Sequence, residues 1–288
     1  GGTNGQVLSM LDATTGTTTW TSLIGGGVPQ QLTASALSDT HTLTIEISAG
    51  NQVSLDLSTL APTGLASVTE GGNTGYRLAN ADTANHGDIG DDAIDLSIQD
   101  ALSTTRGATG QYAFATGRRT TASGDYSTVF GRDNTASGFI STAFGYNTIA
   151  SNIYTTAFGR NTIASNDYST AFGYTTTASG TYSTAFGRDT EAGGDYSTAF
   201  GYETEATGDY STAFGRGSTA SGLYSTAFGE NTDATGANST AFGENTTASG
   251  GSSTAMGFGT VASGDFSTAM GETTIASGTH STAFGDST

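Results

Sequence analysis

Few side chains in this 288-residue chain have the types and spacing that catalysis or metal binding requires. The three histidines, His41, His86 and His280, are far apart, and none has a second ligand at the short spacing of a metal site. The chain has no cysteine, which excludes disulfides and thiolate metal sites. Since a catalytic site needs several polar groups that converge in a pocket, we expect no enzyme, no catalytic residue, no metal and no cofactor.

One acidic cluster could bind a cation. Asp88, Asp91, Asp92 and Asp95 lie close together in sequence, and carboxylate oxygens are the ligands that Ca²⁺ prefers. The cluster lacks the Asp-x-Asp-x-Asp-Gly spacing of a calcium loop. We therefore favour a solvated turn over a calcium site.

Arginine and tyrosine alternate at one position in successive 14-residue units. A second position carries tyrosine in seven of 12 units, from Tyr126 to Tyr224. Exposed tyrosines beside arginines could bind sugars or a protein, but neighbouring units could also stack them as cation–π pairs, which we favour. The alternating residues are candidate ligand-facing corners: Arg132, Tyr146, Arg160, Tyr174, Arg188, Tyr202 and Arg216. After Gly229 the same position holds Glu230, Glu244, Phe258 and Glu272, so the surface changes along its length.

The elements that position these residues follow from a strict repeat. Glycine recurs every 14 residues from Gly117 to Gly285, and its 13 occurrences delimit 12 units such as Gly173–Phe186 (GYTTTASGTYSTAF). A short fixed period predicts a solenoid in which each unit is one coil and contacts its two neighbours. Coils stacked at about 4.8 Å would form a rod of roughly 58 Å.

Composition agrees with a thin rod. Apolar residues make up 34% and charged residues 12% of the chain, below the roughly 45–50% and 25% of globular domains, so one large core is not expected. The net charge of −18, with eight arginines and no lysine, excludes nucleic acid and anionic lipid surfaces as partners. No run approaches the roughly 18 apolar residues of a membrane span, so we expect no membrane insertion of this segment.

Each unit contains two heptads of the pattern Ser/Thr-x-Ala-x-Gly, such as Ser169–Gly173 and Thr176–Gly180. Because strand side chains alternate between faces, the small residues share one inner face, and the alanine column from Ala122 to Ala276 is complete. The position after the second strand is Gly in ten units and Asn in two, Asn152 and Asn166. These residue types tolerate positive φ, which predicts a left-handed backbone at that turn.

The outer face of the other strand carries a complete threonine column, from Thr128 to Thr282, beside a column of ten Phe and two Met. At about 150–250 Å² for each buried aromatic, this ridge exceeds the roughly 300–600 Å² patch found on typical monomers. The inner face is already filled by small residues, so we expect the ridge to be buried against another chain. The predicted interface residues are Phe130, Phe144, Phe158, Phe172, Phe186, Phe200, Phe214, Phe228, Phe242, Met256, Met270 and Phe284.

Four segments follow. We expect a Gly/Thr-rich linker or lead-in at residues 1–30 and a β-hairpin unit at 31–63, where Thr42–Ile47 and Val53–Leu57 alternate apolar and polar residues. Residues 64–110 are expected to be a connector and residues 111–288 a solenoid of about 12 coils. Since the chain ends at Thr288, just after a new coil begins, we expect it to be a segment of a longer protein.

Heptads such as Ser141–Gly145 (STAFG) followed by Thr148–Asn152 (TIASN) resemble the S-x-A-x-G repeats of the YadA-type head of trimeric autotransporter adhesins. The resemblance covers about residues 111–288. It implies an all-β, left-handed parallel β-roll, three chains per head, that projects from the cell surface to bind host matrix or other ligands. Related heads occur in phage tail fibres and other secreted fibres, whose repeats Gly2–Trp20 also resembles. Phe stands here where the family commonly has Ile or Val, which implies a bulkier trimer axis.

The resulting hypothesis is a structural, surface-exposed homotrimeric fibre segment that acts as an adhesin or as a receptor-binding or tail-fibre rod. Its location would be extracellular, on a cell or virion surface. Its partners would be two further copies of the same chain and a cell-surface glycan or protein receptor. The alternative is a monomeric solenoid of the ice-binding type, because regular threonine ranks suit ice. Here the regular threonine column shares its face with phenylalanine, which favours the first hypothesis. The oligomeric state separates the two.

Overall fold

The computed structural model describes residues 64–288 in full and, within residues 1–63, the backbone of five strands. The chain divides into two units, Gly1–Thr63 and Gly64–Thr288. In the described part there is no α-helix, and hence no helix long and apolar enough to cross a membrane.

The first unit contains an antiparallel sheet of five strands in sequence order. These are β1 (Gln6–Met10), β2 (Thr17–Ser22), β3 (Gln31–Ala34), β4 (Thr42–Ile47) and β5 (Asn51–Asp56). The strands β4 and β5 pair where the alternating pattern predicts a hairpin. The expected lead-in at residues 1–30 instead contributes β1 and β2 to the same sheet. Threonine and tryptophan, which are frequent in β2, favour a strand. The sequence around them is rich in glycine, which is why the composition of residues 1–30 indicated a linker.

The second unit begins with a β-hairpin and a short irregular segment. Its elements are β6 (Leu65–Glu70), β7 (Asn73–Leu78), a 3₁₀ turn (Thr83–Asn85), β8 (Ile94–Ile98) and β9 (Gly107–Ala108). The residues between β6 and β7, Gly71 and Gly72, have φ of 58° and 92°, which is what a tight hairpin turn requires.

From residue 114 onwards, strands of five and two residues alternate without interruption. They are β10 (Phe114–Arg118), β11 (Thr121–Ala122), β12 (Thr128–Arg132), β13 (Thr135–Ala136), β14 (Thr142–Tyr146), β15 (Ile149–Ala150), β16 (Thr156–Arg160), β17 (Ile163–Ala164), β18 (Thr170–Tyr174), β19 (Thr177–Ala178), β20 (Thr184–Arg188), β21 (Glu191–Ala192), β22 (Thr198–Tyr202), β23 (Glu205–Ala206), β24 (Thr212–Arg216), β25 (Thr219–Ala220), β26 (Thr226–Glu230), β27 (Asp233–Ala234), β28 (Thr240–Glu244), β29 (Thr247–Ala248), β30 (Thr254–Phe258), β31 (Val261–Ala262), β32 (Thr268–Glu272), β33 (Ile275–Ala276) and β34 (Thr282–Asp286).

These strands form two sheets that run along the roll. The five-residue strands, together with β6, β7 and β8, make a 16-stranded sheet, and the two-residue strands with β9 make a 13-stranded sheet. From β10 onwards, neighbouring strands of each sheet pair in parallel, and each residue lies beside its equivalent 14 positions later, as Phe158 lies beside Phe172. The predicted all-β parallel β-roll with 14-residue coils is therefore confirmed.

The roll begins earlier than residue 111. Strand β8 pairs in parallel with β10, and Ile94 lies beside Phe114, while β7 pairs in parallel with β8. Parallel pairing thus begins at β7, within the segment 64–110 that we expected to be a connector, and β6 pairs antiparallel with β7. Paired residues are 18 positions apart between β7 and β8 and 20 apart between β8 and β10 instead of 14, so a search for the fixed period does not find these coils.

The core is thin and built from small residues. The alanine column from Ala122 to Ala276 is at most 1% exposed in every coil, and the serine and threonine side chains of the same face, such as Ser183 and Thr176, are fully buried. The predicted inner face is therefore confirmed.

The turn carrying Gly or Asn differs from the prediction. The left-handed region is adopted not by Gly124, Asn152 or their equivalents but by Tyr126 (φ 58°) and Asp133 (φ 55°) and theirs. At Gly124 a Cβ atom would lie 2.0 Å from the carbonyl oxygen of Gly138 in the next coil. Glycine is needed there because neighbouring coils approach so closely, and the prediction of a left-handed backbone at this position was wrong.

Candidate functional site

The five-residue strands present three columns of side chains on the outer face of the roll. In β12, Val129 is fully buried, and the side chains on either side of it, Thr128 and Phe130, point outward. Arg132, the last residue of the strand, is also exposed. Threonine, phenylalanine and the arginine–tyrosine positions therefore share one face.

The middle column, which we call the phenylalanine ladder, comprises nine rings from Phe130 to Phe242. Adjacent rings stack with centroids 4.6–5.3 Å apart and interplanar angles of at most 20°. Each ring is still 37–46% exposed in the single chain. Met256, Met270 and Phe284 continue the column in register. The residues predicted to form an interface thus lie together on one continuous surface.

The arginine–tyrosine column, from Arg132 to Arg216, lies at the ends of the five-residue strands rather than at corners. Arg160 lies over Tyr146 and Tyr174, at 5.7 and 5.5 Å from the ring centroids, and Arg188 contacts Tyr174 and Tyr202 in the same way. The stacking that we favoured from the sequence is present. A role of this column in binding a ligand stays a prediction.

A second ladder lies in the turn that leads into each five-residue strand. Its six rings, which we call the tyrosine ladder, are 44–54% exposed, stack at 4.5–5.2 Å and are tilted by at most 20°. Partial desolvation between neighbours raises the pKa of the Tyr182 phenol. The ladder comprises Tyr154, Tyr168, Tyr182, Tyr196, Tyr210 and Tyr224.

Aspartates precede three of these tyrosines and connect neighbouring coils. Asp195 Oδ1 accepts a hydrogen bond of 2.8 Å from the backbone N–H of Thr181, and Asp209 Oδ1 accepts one of 3.0 Å from that of Asp195. Asp167 accepts from Ile153 in the same way, at 3.2 Å. These carboxylates therefore hold one coil to the next at the turn.

At the first coils, a buried ionic cluster joins the hairpin to the roll. Asp95 Oδ2 lies 2.8 Å from His86 Nδ1 and 3.4 Å from Arg77 Nε, and Arg77 also bonds Glu70 at 2.9 Å. Asp95 Oδ1 accepts from the backbone N–H of Ser97 at 3.0 Å. Burial alone would raise the pKa of the Asp95 carboxyl, but the hydrogen bonds from His86 and Ser97 outweigh it and hold this pKa below its ordinary value.

The sequence did not predict this cluster, because its members lie outside the repeat and show no recognisable spacing. The four aspartates that could bind calcium according to the sequence do not share one environment. Asp95 is buried, whereas Asp88, Asp91 and Asp92 are exposed. Within residues 64–288 no three His, Cys, Asp or Glu side chains are grouped to hold a metal ion.

The histidines do not converge. His86 borders two open clefts, of about 310 and 400 Å³, beside the first coils. His280 stacks on Phe266 with ring centroids 4.9 Å apart at the opposite end of the repeat. His41 lies outside the residues that the structure describes.

Comparison with known families identifies the repeat. The profile of the YadA head domain repeat, which covers two copies, matches residues 108–134, 136–162, 164–190, 178–204, 192–218, 206–232, 220–246, 234–260 and 262–288. A comparison with curated proteins gives no match. The repeat matches cover more than half of the chain and coincide with the 14-residue coils. The chain therefore belongs to the YadA head domain family.

Proposed function

We propose that this chain is a rigid segment of a homotrimeric, extracellular fibre that serves as an adhesin or as a receptor-binding rod on a cell or virion surface. The observation that carries the proposal is the phenylalanine ladder, an exposed apolar surface that no other side chain within residues 64–288 covers. Membership of the YadA head family supports three chains per fibre.

The size of the ladder argues for burial. Nine rings that are 37–46% exposed, at about 200 Å² per ring, leave on the order of 700 Å² of apolar surface uncovered. Stacking between rings makes this area smaller than the sequence implied. It still exceeds the roughly 300–600 Å² of the largest patch on a typical monomer and approaches the roughly 800 Å² that each partner contributes to a stable interface.

The regularity of the ladder favours parallel chains in register. Because each coil repeats the same columns, a parallel arrangement places phenylalanine against phenylalanine at every level. Threonine and the arginine–tyrosine column would then border the apolar strip on its two sides. Such a polar rim around an apolar centre is typical of protein interfaces.

A matched pair of variants tests the interface. Phe200→Asp places a charge in the ladder, whereas Thr177→Asp places the same charge on the outer face of β19. Since a buried phenylalanine contributes roughly 1.5–3 kcal/mol, we expect Phe200→Asp to dissociate or strongly destabilise the trimer in analytical ultracentrifugation, and Thr177→Asp to leave it assembled. A parent protein that sediments as a folded monomer of 28.8 kDa would refute the proposal.

The adhesive role concerns the surfaces that trimer formation leaves open. Alanine fills the core, and self-association would cover the phenylalanine ladder. A cell-surface glycan or protein receptor would therefore contact the strand ends and turns. Three copies around the axis would add avidity to weak sites. Arrays of glycans and matrix proteins test this role. Thermal hysteresis shown by a monomer would support the ice-binding alternative instead.

A further inference from the structure

We propose that the tyrosine ladder and the carboxylates beside it form a binding strip for an extended, cationic aminoglycan, a β-linked sugar polymer with free amino groups. The inference rests on the proposed function only in that the strip must be accessible on the assembled fibre. It does not use the phenylalanine ladder or the arginine–tyrosine column.

The arrangement of the rings limits how a ligand can bind. Since the facing sides of adjacent rings are covered at 4.5–5.2 Å, a sugar cannot stack flat on the four inner tyrosines. The ring edges and the phenol hydroxyls remain open, one per coil, in a straight row parallel to the rod. Such a row fits a linear polymer that offers hydrogen-bonding groups at nearly the same interval, as an extended β-linked polysaccharide does.

The choice of tyrosine points to the hydroxyl group. The chain uses phenylalanine at every ring of its other ladder, so stacking alone does not require tyrosine. All six rings of this ladder are nevertheless tyrosine, and the ring that follows farther along the column is Phe266. The hydroxyls are therefore the feature that distinguishes this ladder from the phenylalanine ladder.

The backbone at these positions is also unfavourable for an aromatic residue. Tyr182 has φ of 58° and Tyr210 has φ of 56°, in the left-handed region where side chains other than Asn, Asp and Gly are disfavoured. At the opposite turn this conformation is often adopted by Asp, Asn or Gly, as at Asp189, Asn231 and Gly217. Later coils of the same column use Asn238 and Ser252. Strained residues of this kind tend to mark functional surfaces.

Charge selects among extended polymers. Asp195 and Asp209 border the ladder, and Glu191 lies beside Glu205 on the two-residue strands that lead into the same turns. All four side chains are exposed. Arg188, which precedes Glu191 by three residues, is paired with Asp189 at 3.1 Å. In-register carboxylates repel one another, and a polymer with one amino group per sugar would relieve this repulsion, whereas a sulfated or carboxylated glycan would add to it.

The test uses the whole chain and three probes in isothermal titration calorimetry. These are a β-1,4-linked glucosamine hexamer, its fully N-acetylated form and hexalysine. We expect the glucosamine hexamer to bind, the acetylated hexamer to bind more weakly because it lacks charge, and hexalysine to bind without dependence on the tyrosine hydroxyls.

Matched variants separate the hydroxyls from the charge. Changing Tyr168, Tyr182, Tyr196 and Tyr210 together to Phe keeps the stacked rings and removes four hydroxyls. We expect at least about a tenfold loss of affinity for the glucosamine hexamer, since each lost hydrogen bond weakens binding. The control changes Tyr146, Tyr174 and Tyr202 to Phe in the arginine–tyrosine column and should bind like the parent.

A second variant, Asp195→Asn with Asp209→Asn, keeps an oxygen to accept the backbone hydrogen bonds and should reduce both affinity and its salt dependence. Failure of the parent to bind the glucosamine hexamer would overturn the proposal. So would unchanged affinity of the four-Phe variant. Sedimentation of the same samples distinguishes the two proposals. A trimer that does not bind the glucosamine hexamer refutes only the proposed binding strip. A monomer that binds it refutes only the proposed trimer.

Discussion

At the scale of single residues, side-chain size in the roll is limited by the distance between consecutive coils. Gly208 illustrates this limit, because a Cβ atom there would lie 2.2 Å from the carbonyl oxygen of Gly222. Its φ is outside the left-handed region, so the constraint is steric contact and not backbone conformation. Glycine at a turn is usually interpreted through φ, and here that interpretation does not apply.

Gly208→Ala should therefore destabilise the roll although alanine tolerates the backbone conformation. We expect a loss of about 1–3 kcal/mol, typical of overpacking, in chemical denaturation. Thr207→Ala, at the exposed neighbouring residue, is the control and should unfold like the parent. Equal stability of the two variants would mean that the coils can separate at this turn without cost.

At the scale of elements, the β6–β7 hairpin covers the first end of the repeat and is joined to it by ionic contacts. Strand β7 supplies Arg77, which is 1% exposed, and β8 supplies Asp95, which is fully buried. The guanidinium also donates to the carbonyl oxygen of Gly87 at 2.8 Å. A hairpin held by buried charges depends on the ionisation of those charges.

The stability of this end should decrease in acid. Because the pKa of Asp95 is lower in the folded chain than its ordinary value, its contribution is complete above the unfolded value of about 3.9 and is lost as the pH falls through the folded pKa. Hydrogen exchange measured from neutral pH downward should show β6–β8 losing protection before the central coils do. The variant Asp95→Asn should weaken protection of this hairpin already at neutral pH.

Asp88→Asn, at an exposed acid of the same region, is the matched control and should leave the acid response unchanged. If the hairpin and the central coils lost protection together in the parent, the cluster would not be the acid-sensitive part of the fold.

At the scale of the whole molecule, stability comes from contacts between neighbouring coils. The pairing of β18 with β20 has the same register as that of β20 with β22. In a solenoid of this kind, stability is approximately the sum of coil and nearest-neighbour terms. The number of coils should therefore be adjustable without a change of fold.

Deletion of residues 187–200 removes one complete coil and joins Phe186 to Gly201, which preserves every column. We expect a cooperative fold with a slightly lower melting temperature by circular dichroism. Deletion of residues 194–200 removes half a coil, interrupts the phenylalanine ladder and brings a two-residue strand against a five-residue strand. We expect that variant to be much less stable. Similar melting of both variants would show that the two heptads are interchangeable.

Much of the architecture could be predicted from the sequence, because a period of 14 specifies it again in every coil. The glycine frame predicts coil length and parallel pairing, and the alternation of small and large residues identifies Ala178 as inner and Phe200 as outer. The YadA-type resemblance rests on the same heptads. Each coil contacts only its neighbours, so local pattern and tertiary contact coincide over residues 111–288.

Only the tertiary structure decided the features that depend on distances between residues outside the repeat or between coils. The contact of Asp95 with His86 and Arg77, and the start of parallel pairing at β7, have no counterpart in the period, because the first strands pair at offsets longer than 14 residues. The left-handed backbone is found at Tyr126 and Asp133 and not at the turn glycines. Glycine is required at those turns because the carbonyl oxygen of the next coil lies too close for a Cβ atom, and composition does not reveal this distance. The two ring ladders likewise differ in location, one on a sheet face and one in a turn, although the sequence shows both only as aromatic columns of equal period.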